Sequence, residues 1–367
     1  MKLDASLMVL VIALLRSPEE GNALVSAPPS ITCRRRFAIN QSRGNSCNRR
    51  PVATSRLASL AADDAEATGA SLQMPSDVSI PILYESERVI AINKPHGIPH
   101  HDDVDANTPG ILTLFRHLQS LDESKKSNAI DYKGRVYGVH RLDRATSGIL
   151  LLAKDKETAG LLTRQFRRRN VVKYYFAISS KKPKKQKQGW VKGDMAKGRR
   201  GAWMLQKSMN DPAITRFFTA GLGALTDSVV EELHQLAADA TSGGGGPIPK
   251  TAILFRPHTG RTHQLRVAAK ATGMPILMDP YYGDGTAPAS LLSLSKNVQR
   301  TFLHASALHL RLSDGDDDEV AAAEDITIWC PPPFESLWQE EAGAQFHDIV
   351  KVLMTKNCES KDILNMM

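Results

Sequence analysis

Val139-His140-Arg141-Leu142-Asp143-Arg144-Ala145-Thr146-Ser147-Gly148 runs directly into Ile149-Leu150-Leu151-Leu152-Ala153-Lys154. Its first half crowds four ionisable side chains, His140, Arg141, Asp143 and Arg144, into five positions. Thr146-Ser147-Gly148 then turns the chain, and four consecutive aliphatic residues follow. A short continuous apolar run bounded by a glycine turn reads as a strand buried on both faces. Such a strand is a stiff support for a loop that carries polar chemistry. Taken alone, an aspartate among arginines reads as a solvated ion pair on a turn.

Upstream, Ile82 to Pro95 reads as a strand, a polar turn and a second strand ended by Pro95. Ile111 to Leu118 has helical apolar spacing. Downstream, Lys156 to Arg169 reads as an amphipathic helix ending in basic residues, which suit a helix C-terminus in any protein. Val171 to Ile178 has strong strand propensity, and alternation puts Tyr174 and Tyr175 on opposite faces. Lys181-Lys182-Pro183-Lys184-Lys185-Gln186-Lys187 repels itself and must be a solvated loop. With Lys192, Lys197, Arg199, Arg200 and Lys207, and with Trp190 and Trp203 interleaved, the segment has the character of an RNA-facing surface; a merely solubilising face is the alternative. Residues 221–250 read as an insertion, whose Gly243–Gly246 run lacks the lysine and hydroxyl of a phosphate-binding loop. Ala252 to Val267 reads as strand, glycine turn and helix start. Leu303 to Leu310 alternates like a strand, and Asp325 to Trp329 reads as a closing strand beyond an acidic loop, with the last twenty residues peripheral.

The string HRLDRATSGILLLAK at 140–154 resembles the signature of the RluA family of pseudouridine synthases. Three other stretches resemble elements of that family in the family's order: Asn93-Lys94-Pro95 with Gly97, Lys173-Tyr174-Tyr175-Phe176-Ala177, and Thr259-Gly260-Arg261-Thr262-His263-Gln264-Leu265-Arg266-Val267. Pro275 to Gly283 resembles a further one, with Met278 where the family has glycine. The resemblance spans about residues 80–340. It implies an α+β fold on a mixed, largely antiparallel sheet with flanking helices. It also implies that Asp143 attacks or deprotonates at the ribose of a target uridine, freeing uracil to turn and rejoin the sugar through C5. Tyr175 would stack on the target base and take part in moving the C5 proton, and Arg266 would pair with Asp143. Arg141 would fill the gap left by the flipped uridine. His140, Arg144, Thr146, Lys173, Arg261, His263 and Leu265 would belong to the substrate-binding surface. No metal and no cofactor is implied, and adjacent His100 and His101 point apart. The first motif looks most like the TruC-like branch, whose members act on tRNA; tRNA and rRNA both stay open as the partner, with a monomer expected. A catalytically silent RNA-binding protein on the same scaffold is the rival, and a glycosidase would need a second acid that the motifs lack.

Composition agrees with a globular enzyme of 367 residues, 42% of them hydrophobic. Cys33, Cys47, Cys330 and Cys358 form no CxxC pair, which argues against a zinc site or a disulfide framework. The net charge of +8 is uneven: residues 1–60 carry +6 and residues 164–207 carry +14, leaving −12 elsewhere. Leu7 to Leu15 is an apolar run too short to cross a membrane and suited to a secretory signal. Residues 33–60 follow with seven arginines and no acid, as in organellar transit peptides. The expected organisation is a targeting presequence and linker over 1–78, a catalytic domain over 79–340 and a peripheral tail over 341–367. The expected address is the plastid, then the mitochondrion, then the cytosol, with no membrane segment in the mature form.

Overall fold

The computed structural model describes residues 78–120, 132–184, 186–198, 202–222, 251–283, 301–312, 323–332 and 341–367, all within one unit running from Glu66 to Met367. The segment expected to be a targeting presequence, up to residue 77, the Gly243–Gly246 run and the acidic loop lie outside the described residues.

The apolar runs become strands at the expected places. β1 (Ile82–Glu85) and β2 (Val89–Lys94) form an antiparallel hairpin. β3 (Tyr137–Gly138) precedes β4 (Ser147–Ala153), whose seven residues are all buried. Later come β5 (Val172–Ser179), β6 (Gln188–Gly193), β9 (Ala213–Gly221), β10 (Thr251–Pro257), β11 (Leu303–Leu312) and β12 (Glu324–Trp329). They build one ten-stranded sheet in the order β1-β2-β4-β11-β5-β10-β9-β6, with β12 on β11 and β3 on β4. β7 (Met195–Lys197) and β8 (Trp203–Leu205) form a separate ribbon. Among the described pairings β4 with β11 alone is parallel, so the sheet is mixed and largely antiparallel as expected. β11 therefore enters the middle of the sheet although it is nearly last in the chain, and burial on both faces overrides the alternation its sequence suggests. Gly148 sits where β11 crosses, at φ 109°, and a Cβ there would run into the backbone of Ala305.

Helices cover the sheet. α1 (Ile111–Ser120) buries Ile111, Leu114, Phe115 and Leu118, the expected stripe. α2 (Lys156–Arg168) starts at Asp155, whose carboxylate accepts from Thr158 N–H at 2.7 Å, and ends at Arg169 in the left-handed conformation. α3 (Gln264–Ala271) follows the glycine turn after β10.

The C-terminal residues are not peripheral. α4 (Glu341–Asn357) and α5 (Lys361–Asn365) bury Val350, Leu353, Met354 and Ile363 in the cluster formed by β5, β9, β10 and α3. Glu359 between them donates its N–H to the Tyr174 hydroxyl at 3.0 Å, and its carboxylate meets Arg216 at 3.1 Å and Arg256 at 2.6 Å. The physical reason is the apolar face of those three strands, which would otherwise meet water. A second cluster joins β1, β2, β4, α1 and α2 to β11 and β12, and Tyr175 packs against both clusters.

Candidate active site

The loop between β3 and β4 is shaped by what it buries. Leu142 and Ala145 go into the core, which turns Arg141 and Asp143 outward. Asp143 C=O accepts from Thr146 N–H at 3.0 Å, closing a tight turn, and Ala145 C=O accepts from Thr301 N–H at 3.1 Å. Lys94, fully buried at the end of β2, donates from Nζ to Pro95 O (2.7 Å), Ile98 O (2.9 Å) and Arg144 O (3.4 Å), so one ammonium ties two loops together. Burial brings its pKa down to about 7; the nearby Asp143 charge opposes that shift and the Arg144 charge adds to it.

A cavity of about 570 Å³ opens over this loop, between α2, β5 and the turn that leads into α3, a size suited to a nucleotide. From the first motif His140, Arg141, Asp143 and Thr146 line it; from the second, Lys173 and Tyr175; from the third, Arg261, His263, Leu265 and Arg266. Ten of the eleven expected residues thus share one wall. Arg144 is the exception: it is held away by Gly97 O, accepting from Nε at 2.9 Å, and by the Asp103 carboxylate at 3.1 Å. It fastens loops together where a substrate contact was expected.

The central carboxylate has a built environment. Arg266 reaches Asp143 through one guanidinium nitrogen at 3.4 Å. Its other two nitrogens are gripped by Asp279, each at 2.7 Å, in a bidentate pair with almost no exposure. Asp279 in turn accepts from the N–H groups of Tyr281 and Tyr282, each at 3.0 Å. Burial works against the Arg266 cation, but the two carboxylates hold its pKa above the ordinary value. His263, in the left-handed conformation, places Nε2 at 3.9 Å from Asp143, while Nδ1 lies 2.8 Å from the Tyr282 hydroxyl. That hydroxyl already accepts from Trp203 N–H at 2.8 Å. Its own proton can therefore point at Nδ1, the tautomer that leaves Nε2–H facing Asp143. Burial lowers the His263 pKa, against the pull of Asp143.

The remaining groups sort by what they touch. His140 accepts from Leu151 N–H through Nε2 at 2.9 Å and stacks on Phe166 at 4.6 Å. Burial, with the Lys173 charge second, pushes its pKa to about 3, so it is a neutral ring that extends the ladder of β4. Burial brings Lys173 down to about 8, and its Nζ lies 5.4 Å from the Phe166 ring. The Tyr175 hydroxyl is pushed well above the usual phenol range, first by burial and then by the Asp143 charge. Arg261 pairs with Asp211 at the cavity rim. Among the described residues no three His, Cys, Asp or Glu side chains are arranged to hold a metal ion.

Sequence reasoning missed Asp279, Tyr282 and Lys94 as parts of this assembly. The signal for the first two was the Pro275–Gly283 stretch, which reads as a turn and turns out to be the clamp on Arg266. Met278, standing where glycine is usual in that stretch, has φ 60°, a conformation that favours glycine, and it is held there by packing against the core.

Residues 88–271 match the family model for RNA pseudouridylate synthase. An uncharacterized RNA pseudouridine synthase of Haemophilus influenzae is 38% identical over 231 residues, covering 63% of this chain and 82% of that protein. The ribosomal large subunit pseudouridine synthase C of Escherichia coli is 30% identical over 250 residues, covering 68% of this chain and 67% of the relative. The human RNA pseudouridylate synthase domain containing 1 aligns at a TM-score of 0.48 and 21% identity, over 78% of this chain and 97% of that structure. On the matched segment and these sequence identities, the chain belongs to the RNA pseudouridylate synthases of the RluA family, isomerases that act on RNA.

Proposed function

We propose that Asp143 is the catalytic residue of this synthase and that its substrate is a uridine in structured RNA, tRNA or rRNA. The observation that carries the reading is the carboxylate of Asp143 on the cavity wall, faced by an arginine whose aim another carboxylate fixes. In this reading Asp143 acts at the ribose and the bond from N1 to the sugar breaks. Uracil turns, C5 joins the sugar, the C5 hydrogen leaves as a proton to water, and N1 takes up a proton in its place. Atoms balance without an oxidant or co-substrate. Arg266 keeps a positive charge of fixed position beside the reacting carboxylate. Tyr175 keeps its own proton at neutral pH, since burial raises its pKa, so it serves as a stacking ring and a hydrogen-bond donor. Arg141, exposed at the mouth, fills the place of the flipped uridine. The name of the Escherichia coli relative points to rRNA, whereas the first motif is the argument for tRNA. The organellar address belongs to the same proposal, on the composition of residues 33–60.

Asp143→Asn tests the assignment, because the two side chains are nearly isosteric and only the carboxylate chemistry is lost. Release of tritium from RNA labelled at uridine C5 should vanish while RNA affinity stays close to wild type. Release at a rate near wild type from Asp143→Asn would overturn the assignment. No release by wild type from any organellar or cytosolic RNA would favour a silent RNA binder. Mapping pseudouridine in both RNA pools, from cells with and without the protein, identifies the substrate and the compartment together.

A further inference from the structure

Trp190 lies on β6, the outer strand of the sheet, and is 48% exposed. In register it stands opposite Arg216, which stands opposite Arg256, so the three share one cross-strand row. The Arg216 guanidinium carbon is 5.5 Å from the Trp190 ring centre, the Lys192 ammonium 4.9 Å, and the His258 ring 5.0 Å. Burial, with Arg256 next, lowers the His258 pKa, so this ring is a neutral support beside the indole. Glu359, from the segment between α4 and α5, is an acid that Arg216 and Arg256 both engage.

Position makes this cluster more than a sheet edge. His258 touches Trp190 and also lines the active-site cavity. The turn from His258 to Arg261 continues along the cavity rim. An RNA strand that leaves the cavity past His258 and bends round the end of β10, onto the face that carries Trp190, meets an exposed indole with Lys192 and Arg216 beside it. An aromatic face accepts any base, and flanking cations supply backbone charge complementarity.

We propose that Trp190, with Lys192, Arg216 and His258, is a stacking subsite for an unpaired base next to the target uridine. It rests on the reading of the cavity as the uridine site. The probe is a nine-nucleotide oligouridylate, bound to the full chain and followed by tryptophan fluorescence and by an independent affinity measurement. Wild type should show a saturable quench. Trp190→Phe should lose the Trp190 part of that quench but keep affinity within about threefold, since phenylalanine still stacks. Trp190→Ala should weaken binding between about fivefold and about a hundredfold, with an unchanged thermal unfolding midpoint. Trp190→Ala binding as tightly as wild type would overturn the subsite, and so would Trp190→Phe binding as weakly as Trp190→Ala. Should Trp190→Ala not fold, the quench and affinity of Trp190→Phe decide. No affinity of wild type for the oligouridylate also overturns it. None of these readings needs turnover, so the tritium assay judges the reaction separately.

Discussion

Arg266 faces two carboxylates unequally: Asp279 holds it at 2.7 Å through two nitrogens, while Asp143 is met by one at 3.4 Å. In the proposed reaction Asp279 is thus a positioning residue, acting on Asp143 through the guanidinium. Asp279→Asn leaves a buried cation short of its main counter-charge, which costs about 3–5 kcal/mol when one partner of such a pair is lost. The expected outcome is a lower urea midpoint together with a large fall in tritium release; turnover at the wild-type rate would mean that Asp279 does not set the aim of Arg266. Lys173 gives a pH test. Its pKa near 8 means it is charged at neutral pH and loses its charge as pH rises through about 8. RNA affinity should therefore fall between pH 7 and 9 in wild type and fall less in Lys173→Arg, which stays charged; identical profiles would assign the titration to another group. Asp143, Tyr175 and Arg266 were legible through their motifs. Asp279 was not, because an aspartate in a turn has an ordinary local explanation, and its partner lies thirteen positions away across a fold that the sequence alone does not supply.

Elements with a continuous apolar run or a full helical stripe, such as β4, α1 and α2, were legible because one local pattern buries them. β6, β7 and β8 were not: β6 is glycine-rich and cationic, β7 and β8 are three residues each and too short to show a period, and pairing with neighbours makes them strands. α4 and α5 were hidden for a different reason. Their described buried residues are few, Val350, Leu353, Met354 and Ile363, and the faces they cover belong to strands earlier in the chain, β9 and β10 for α4 and β11 and β12 for α5. Ile363, fully buried, measures how much that cover matters. Ile363→Ala should cost about 2–5 kcal/mol by denaturant unfolding, where a peripheral tail would show no change in midpoint.

For the whole molecule, charge is distributed as the sequence indicates, with the excess of +14 over residues 164–207 set against −12 outside that segment and residues 1–60. The described lysines of the 181–187 run are exposed. Replacing its five lysines with glutamine should weaken RNA binding and flatten the dependence of affinity on salt, by up to about one unit of slope for each phosphate no longer neutralised; an unchanged slope would make the run a solubilising face. The place of β11 has another kind of consequence. Before residues 303–312 are added, β1, β2, β3 and β4 form one block that carries Asp143, and β5, β6, β9 and β10 form another that carries Tyr175 and leads to Arg266. Among the described residues no strand pairing joins the blocks until β11 slots between β4 and β5, a pairing between distant parts of the chain that is slow to form. A chain still being synthesised would hold both halves of its cavity long before they could meet, and RNA encountered in that interval would find no assembled site.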